Sequence, residues 1–231
     1  MKIIQEKSIL YHLPQELPLK DFLIFDAVRF SFEIIDQNFE NLIFELETTS
    51  ETDKRNVSRT FHYAWTIIDY TNRINDLLYQ LPWENRDEIL GNFYYLKDFR
   101  DTFQHLGVRN SAVLKKHTPF FGILSWFYQN QETKKHKLHY LLSGVGRRAN
   151  MEIKVPDTTK FNGKINSVSL HSLNKSKVIK TELNKIVSDL LKLCAGLEKR
   201  IQEFYKTHNL TLTDWTARRD IHVIIKPEDY E

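Results

Sequence analysis

Phe25-Asp26-Ala27-Val28-Arg29-Phe30-Ser31-Phe32-Glu33-Ile34-Ile35 begins a stripe that runs on through Phe39, Leu42 and Leu46. Phe25, Val28, Phe32, Ile35, Phe39, Leu42 and Leu46 follow one another in alternating steps of three and four. That spacing lines one side of a helix. It predicts a helix over about 18–47, which Pro18 can open because proline suits the first helical position. A polar link from Thr48 to Asp53 leads to a second helical pattern over about 54–81, closed by Pro82. A third, over about 84–106, carries Ile89, Phe93, Leu96, Phe99, Phe103 and Leu106. A fourth, over about 175–207, carries Ile179, Leu183, Ile186, Leu190, Cys194, Leu197, Ile201 and Phe204. Four such stripes bury most economically against one another. The fold class expected is mainly α, a four-helix up-and-down bundle.

Between the third and fourth patterns the sequence changes character. Glycine and proline concentrate there, and short β-branched or aromatic runs alternate: Phe120–Tyr128, Lys137–Ser143, Met151–Val155 and Ile165–His171. The expectation is a small antiparallel β-sheet at about 115–172, inserted between helices 3 and 4 of a single domain spanning 1–231. A short strand, Asp220–Ile225, is expected in the tail.

The chain has 231 residues, with 33 Lys and Arg against 30 Asp and Glu, a net charge of +3. So small an excess does not announce a nucleic-acid binder, and any attraction for RNA needs local clustering. The single cysteine, Cys194, excludes a disulfide framework and fits a reducing, cytoplasmic setting. No apolar run approaches a membrane span and no signal-peptide core follows Met1, so no membrane partner is expected. Glycine-rich phosphate loops, paired cysteines, His-Glu-x-x-His and a serine elbow are all missing. ATPase, zinc-enzyme and ordinary hydrolase readings lack their parts. His136 and His139 are three apart, so on a strand they face opposite sides and make a poor metal pair. No cofactor and no metal are expected.

One segment combines a phosphate-binding charge with a titratable base: Phe99-Arg100-Asp101-Thr102-Phe103-Gln104-His105-Leu106. Arginine is a permanently charged fork suited to phosphate, and histidine exchanges protons near neutral pH. On a regular helix Arg100 falls inside the apolar stripe, where a charge needs a partner. Asp101 and His105 are four apart, so the carboxylate can orient the imidazole. Gly107 fits a C-terminal cap, which puts His105 in the last turn. Arg100 and His105 lie about 140° apart around an ideal helix. A site assembled from two copies of the chain would bring them to one phosphate more readily.

Arg100-Asp101-Thr102-Phe103-Gln104-His105 resembles the arginine, polar residue, spacer, histidine motif of the HEPN superfamily. These are helical-bundle proteins of prokaryotic toxin–antitoxin and antiphage systems, and many are metal-independent ribonucleases working as dimers. The resemblance implies that Arg100 and His105 are the catalytic pair and Asp101 the orienting residue. It implies a homodimeric endoribonuclease acting on single-stranded RNA, with an antitoxin or defence-system partner. The alternatives are a non-catalytic adaptor or RNA-binding module of the same family, and a structural helical protein in which the motif is accidental and Arg100 pairs with a bundle acid. A looser copy of the motif, Arg55-Asn56 with His62, points off the stripe of Val57, Phe61, Ala64 and Ile68 and fits two solvated side chains.

Lys115, Lys116, Lys134, Lys135, Lys137, Arg147 and Arg148 flank the aromatic run Trp126-Phe127-Tyr128. Of these, Lys115, Lys116, Arg147 and Arg148 are the candidate substrate-binding residues. Basic side chains around exposed aromatics would suit a single strand. Aromatics that instead pack the sheet onto the helices, with lysines solvating its loops, are the simpler expectation.

Overall fold

The computed structural model describes residues 2–48, 54–104, 119–130, 132–143, 163–174 and 177–211. It is mainly helical with one small antiparallel sheet. The first stripe forms α1, Leu19–Thr48, and buries all seven of its apolar residues. The second forms α2, Lys54–Leu78. The two run antiparallel, because Arg59 pairs with Glu45 at one end and Lys20 Nζ donates to the Gln80 carbonyl at the other. Phe32, Ile35 and Leu42 of α1 are fully enclosed with Ala64, Ile67 and Ile68 of α2 in the same core.

Asp36 of α1 ties down the chain's beginning. Its carboxylate accepts the Ile3 N–H at 2.7 Å and the Ile4 N–H at 3.1 Å. Burial pushes this carboxyl above its ordinary range, and the two donors pull it part of the way back.

The expected third helix is not continuous. It divides into α3, Arg86–Leu90, a 3-10 segment, Gly91–Leu96, and α4, Lys97–Gln104. The cause lies in the spacing of its buried residues. Leu90, Phe93, Leu96, Phe99 and Thr102 recur at steps of three and are all buried. An α-helix drifts off a strict three-residue repeat by about 60° per step, whereas a 3-10 helix holds it on one face. Gly91, the poorest helix former here short of proline, stands at the switch.

Strands β1 (Ile123–Asn130), β2 (His136–Leu142), β3 (Gly163–Asn174) and β4 (Lys177–Glu182) form one sheet in the order β2-β1-β3-β4, with every neighbour antiparallel. The fourth helix therefore starts at Leu183 and not near 175: α5 spans Leu183–Thr207, and β4 runs into it without a loop. Val178, Ile179 and Thr181 are β-branched and favour a strand. Of the other expected strands, Met151–Val155 and Asp220–Ile225 lie outside the described residues.

Leu124, Trp126 and Tyr128 of β1 face inward with Ile165, Val168 and Leu170 of β3, and all six join the helical core. Ile165 and Val168 share that face although they are three apart, because a bulge intervenes. Trp126 pairs with Val168 and Phe127 with Asn166, which leaves Ser167 extra, in the left-handed region at φ 53°. The Val168 N–H donates to Asn184 of α5 at 2.6 Å. Gly122 precedes β1 at φ 89°, and a Cβ there would lie 2.2 Å from the His171 carbonyl oxygen. Only glycine fits that approach.

Candidate functional site

Arg100 leaves α4 one residue after the buried Phe99. Its guanidinium meets the Asp76 carboxylate of α2 at 2.5 Å. The Arg100 side chain is 32% exposed and that of Asp76 57%. Arg100 thus sits at the edge of the core and not within the stripe. The 3-10 winding upstream changes its direction about the axis.

Asp76 is also on the rim of a groove of about 540 Å³ between α1 and α2, lined by Phe30, Ile34, Tyr70, Arg73 and Leu77. Arg73 is held by Asp69 at 2.8 Å and lies 5.1 Å from the Tyr70 ring centroid. Two arginines therefore stand near one groove, each tied to a single carboxylate that solvent reaches. Such pairs exchange partners cheaply, because solvent screens the attraction.

Asp101 is half-buried, and the Thr102 hydroxyl donates back to the Asp98 carbonyl at 2.8 Å. His105, Lys115, Lys116, Arg147 and Arg148 lie outside the described residues, as does the side chain of Arg55. His62 is exposed, with its ring 5.7 Å from that of Tyr63.

In the aromatic run the residues divide by strand alternation. Trp126 and Tyr128 are buried and Phe127 faces out. His139 is buried too, stacked on Trp126 at 5.2 Å. It belongs to the packing between sheet and helices. Among the described residues, no group of three His, Cys, Asp or Glu is placed to hold a metal ion, and no helix is long and apolar enough to cross a membrane.

Two further constellations carried no sequence signal. Ser125 Oγ lies 2.8 Å from His171 Nε2 on the outer side of the sheet. Burial, and then the Lys180 charge, hold that imidazole below its ordinary pKa, so it stays neutral at pH 7. A neutral imidazole can accept the hydroxyl proton. No carboxylate stands behind it in the described hydrogen bonds, so the pair lacks the third member that orients a hydrolytic triad. A second cleft, of about 300 Å³, opens between α5 and the segment from Trp83 to Phe93. Arg200 crosses it, 4.4 Å from the Trp83 ring centroid and donating to Asn85 at 2.9 Å.

No family model, curated protein or solved structure matches this chain.

Proposed function

We propose that this chain is a HEPN-like, metal-independent endoribonuclease acting on single-stranded RNA. In this reading α1, α2, the α3–α4 segment and α5 make an up-and-down four-helix bundle. The protein is a cytoplasmic homodimer that works with an antitoxin or defence-system partner. The observation carrying the reading is the state of Arg100. Its guanidinium is partly exposed, beside a groove, and held by one solvent-reached carboxylate that a phosphate can replace.

In the mechanism, His105 of one copy takes the ribose 2′ proton. The 2′ oxygen attacks phosphorus, the bond to the 5′ oxygen breaks, and a proton returned by the second copy's histidine neutralises the leaving oxygen. Arg100 stabilises charge on the phosphoryl oxygens, and Asp101 orients the imidazole. Lys115, Lys116, Arg147 and Arg148 bind the substrate strand.

The Arg100–Asp76 pair itself favours a second reading, a non-catalytic adaptor in which this ion pair joins two helices. Digestion of single-stranded RNA with EDTA present separates the two, with light scattering for the dimer. His105→Ala is expected to lower cleavage by about 10²–10⁴-fold, the worth of a general acid–base. Cleavage that survives the substitution removes the mechanism.

A further inference from the structure

The sheet has a second face. Phe127 is 42% exposed, Leu138 44% and Tyr140 56%. Phe127 pairs directly with Leu138 across β1 and β2, and Ser125 pairs with Tyr140. Phe127 and Tyr140 are therefore diagonal neighbours on one face, roughly 7–8 Å apart at their backbones. Asn166 stands opposite Phe127 on β3, and Gln129, two residues along β1, shares its side of the sheet.

Charge distinguishes this face from an ordinary apolar patch. By strand alternation Lys164, Lys180 and the acid Glu182 stand on this face, Lys134, Lys135 and Glu132 lie in the turn at its end, and Lys137 and Lys177 fall at inward positions. Four lysines against two acids leave this face and its turn positive. Lys164 pairs with Gln129 at the turn end, where Lys134 and Lys135 are exposed. Lys180 pairs with His171 towards the other end.

We propose that this outer face binds single-stranded RNA, with successive bases stacked on Phe127 and Tyr140 and phosphates drawn to the surrounding lysines. Aromatic rings spaced across a sheet accept the flat face of any base, and a lysine rim follows the backbone. A second copy fits less well, because it would bring the same lysines together. A duplex fits less well too, since its base faces are stacked inside. The assignment rests on the sheet and does not require Arg100 to be catalytic.

The test is fluorescence anisotropy of the full chain with a labelled 2′-O-methyl oligouridine, a probe that cannot be cleaved through its 2′ oxygen. Phe127→Ala and Tyr140→Ala are each expected to weaken binding by about 5- to 150-fold. Both side chains are exposed, so thermal unfolding should change little. Phe127→Leu should weaken binding like alanine, whereas Phe127→Trp and Tyr140→Phe should retain it; these three keep the site testable if alanine perturbs the strand. Lys164→Glu with Lys180→Glu should flatten the salt dependence. The uncleavable probe reads binding apart from cleavage, and Lys199→Ala, an exposed lysine of α5 outside the sheet, should leave it unchanged. Absent binding at low salt, equal binding of a duplex, or unchanged affinity after loss of both rings overturns the proposal. So does a wild-type dimer that Phe127→Ala dissociates.

Discussion

Replacing Asp76 and Arg100 in turn distinguishes a guanidinium kept for phosphate from one kept for stability. The two side chains are 57% and 32% exposed, so their ion pair belongs with surface pairs worth up to about 1 kcal/mol. For a chain of this length that corresponds to a melting shift of about 2–4 °C. Asp76→Ala should therefore lower the unfolding midpoint by no more than this and leave RNA cleavage intact, because it removes a competitor of the phosphate. Arg100→Ala should cost a similar amount of stability. Its effect on cleavage should be far larger, about 10²–10³-fold, if the fork stabilises transition-state charge. Arg100→Lys keeps the charge but loses the paired donors, so it should not restore full activity. Scanning calorimetry and an RNA-cleavage assay on all three variants and the double alanine variant give the comparison, with the cycle isolating the pair's coupling. Equal loss of cleavage in Asp76→Ala and Arg100→Ala would show that the pair serves as a unit to hold helices. A drop well beyond 4 °C in either variant would refute the estimate of a screened surface bridge.

Gly122→Ala should lower stability by more than about 1 kcal/mol, since it combines a positive φ with a backbone clash; an unchanged thermal midpoint would contradict the geometry of that turn. His171 has a folded pKa below its ordinary 6.5, so the folded chain takes up the proton less readily than the unfolded one. Its stabilising contribution is present above pH 6.5 and declines as pH falls towards the folded value. Urea midpoints at pH 7.5 and 5 should converge in His171→Leu relative to wild type, and an identical pH dependence would rule this origin out. Burial pushes the Cys194 thiol up to about 12, with Glu198 and Asp36 adding to the effect. Iodoacetamide at pH 8 should leave the folded protein unlabelled and modify it on denaturation; native labelling at the rate of a free thiol would show the site to be open.

The two long helices were legible because α1 and α2 keep an apolar step of three and four over many turns, and no tertiary effect competes with so long a pattern. The sheet was legible as alternation bounded by glycine and proline, and its inward and outward aromatics follow from that alternation once the strand is placed. Two boundaries were misread for one reason. Ile179 and Leu183 are four apart, so the end of β4 continued the stripe of α5 without a visible break. Leu90, Phe93, Leu96 and Phe99 keep a step that α and 3-10 winding share over one turn, and only the repeat of threes distinguishes them. The site was less legible still. Asp76 lies 24 residues from Arg100, and Ser125 lies 46 from His171. Neither pairing leaves a trace in local spacing, because both arise from packing between elements.

Winding sets the aim of the arginine. A 3-10 residue advances about 120° and an α residue about 100°, so the six residues Gly91–Leu96 add about 120° of rotation and about 3 Å of length before α4 begins. Rewound as α-helix, the same residues would swing Arg100 a third of a turn away from Asp76. Nothing crowds a methyl group placed on Gly91, so the chain has room to shift that balance by changing a residue that Arg100 never touches. The segment works like a gear between α3 and α4: the direction of a charged group is chosen upstream, by how tightly the backbone is coiled.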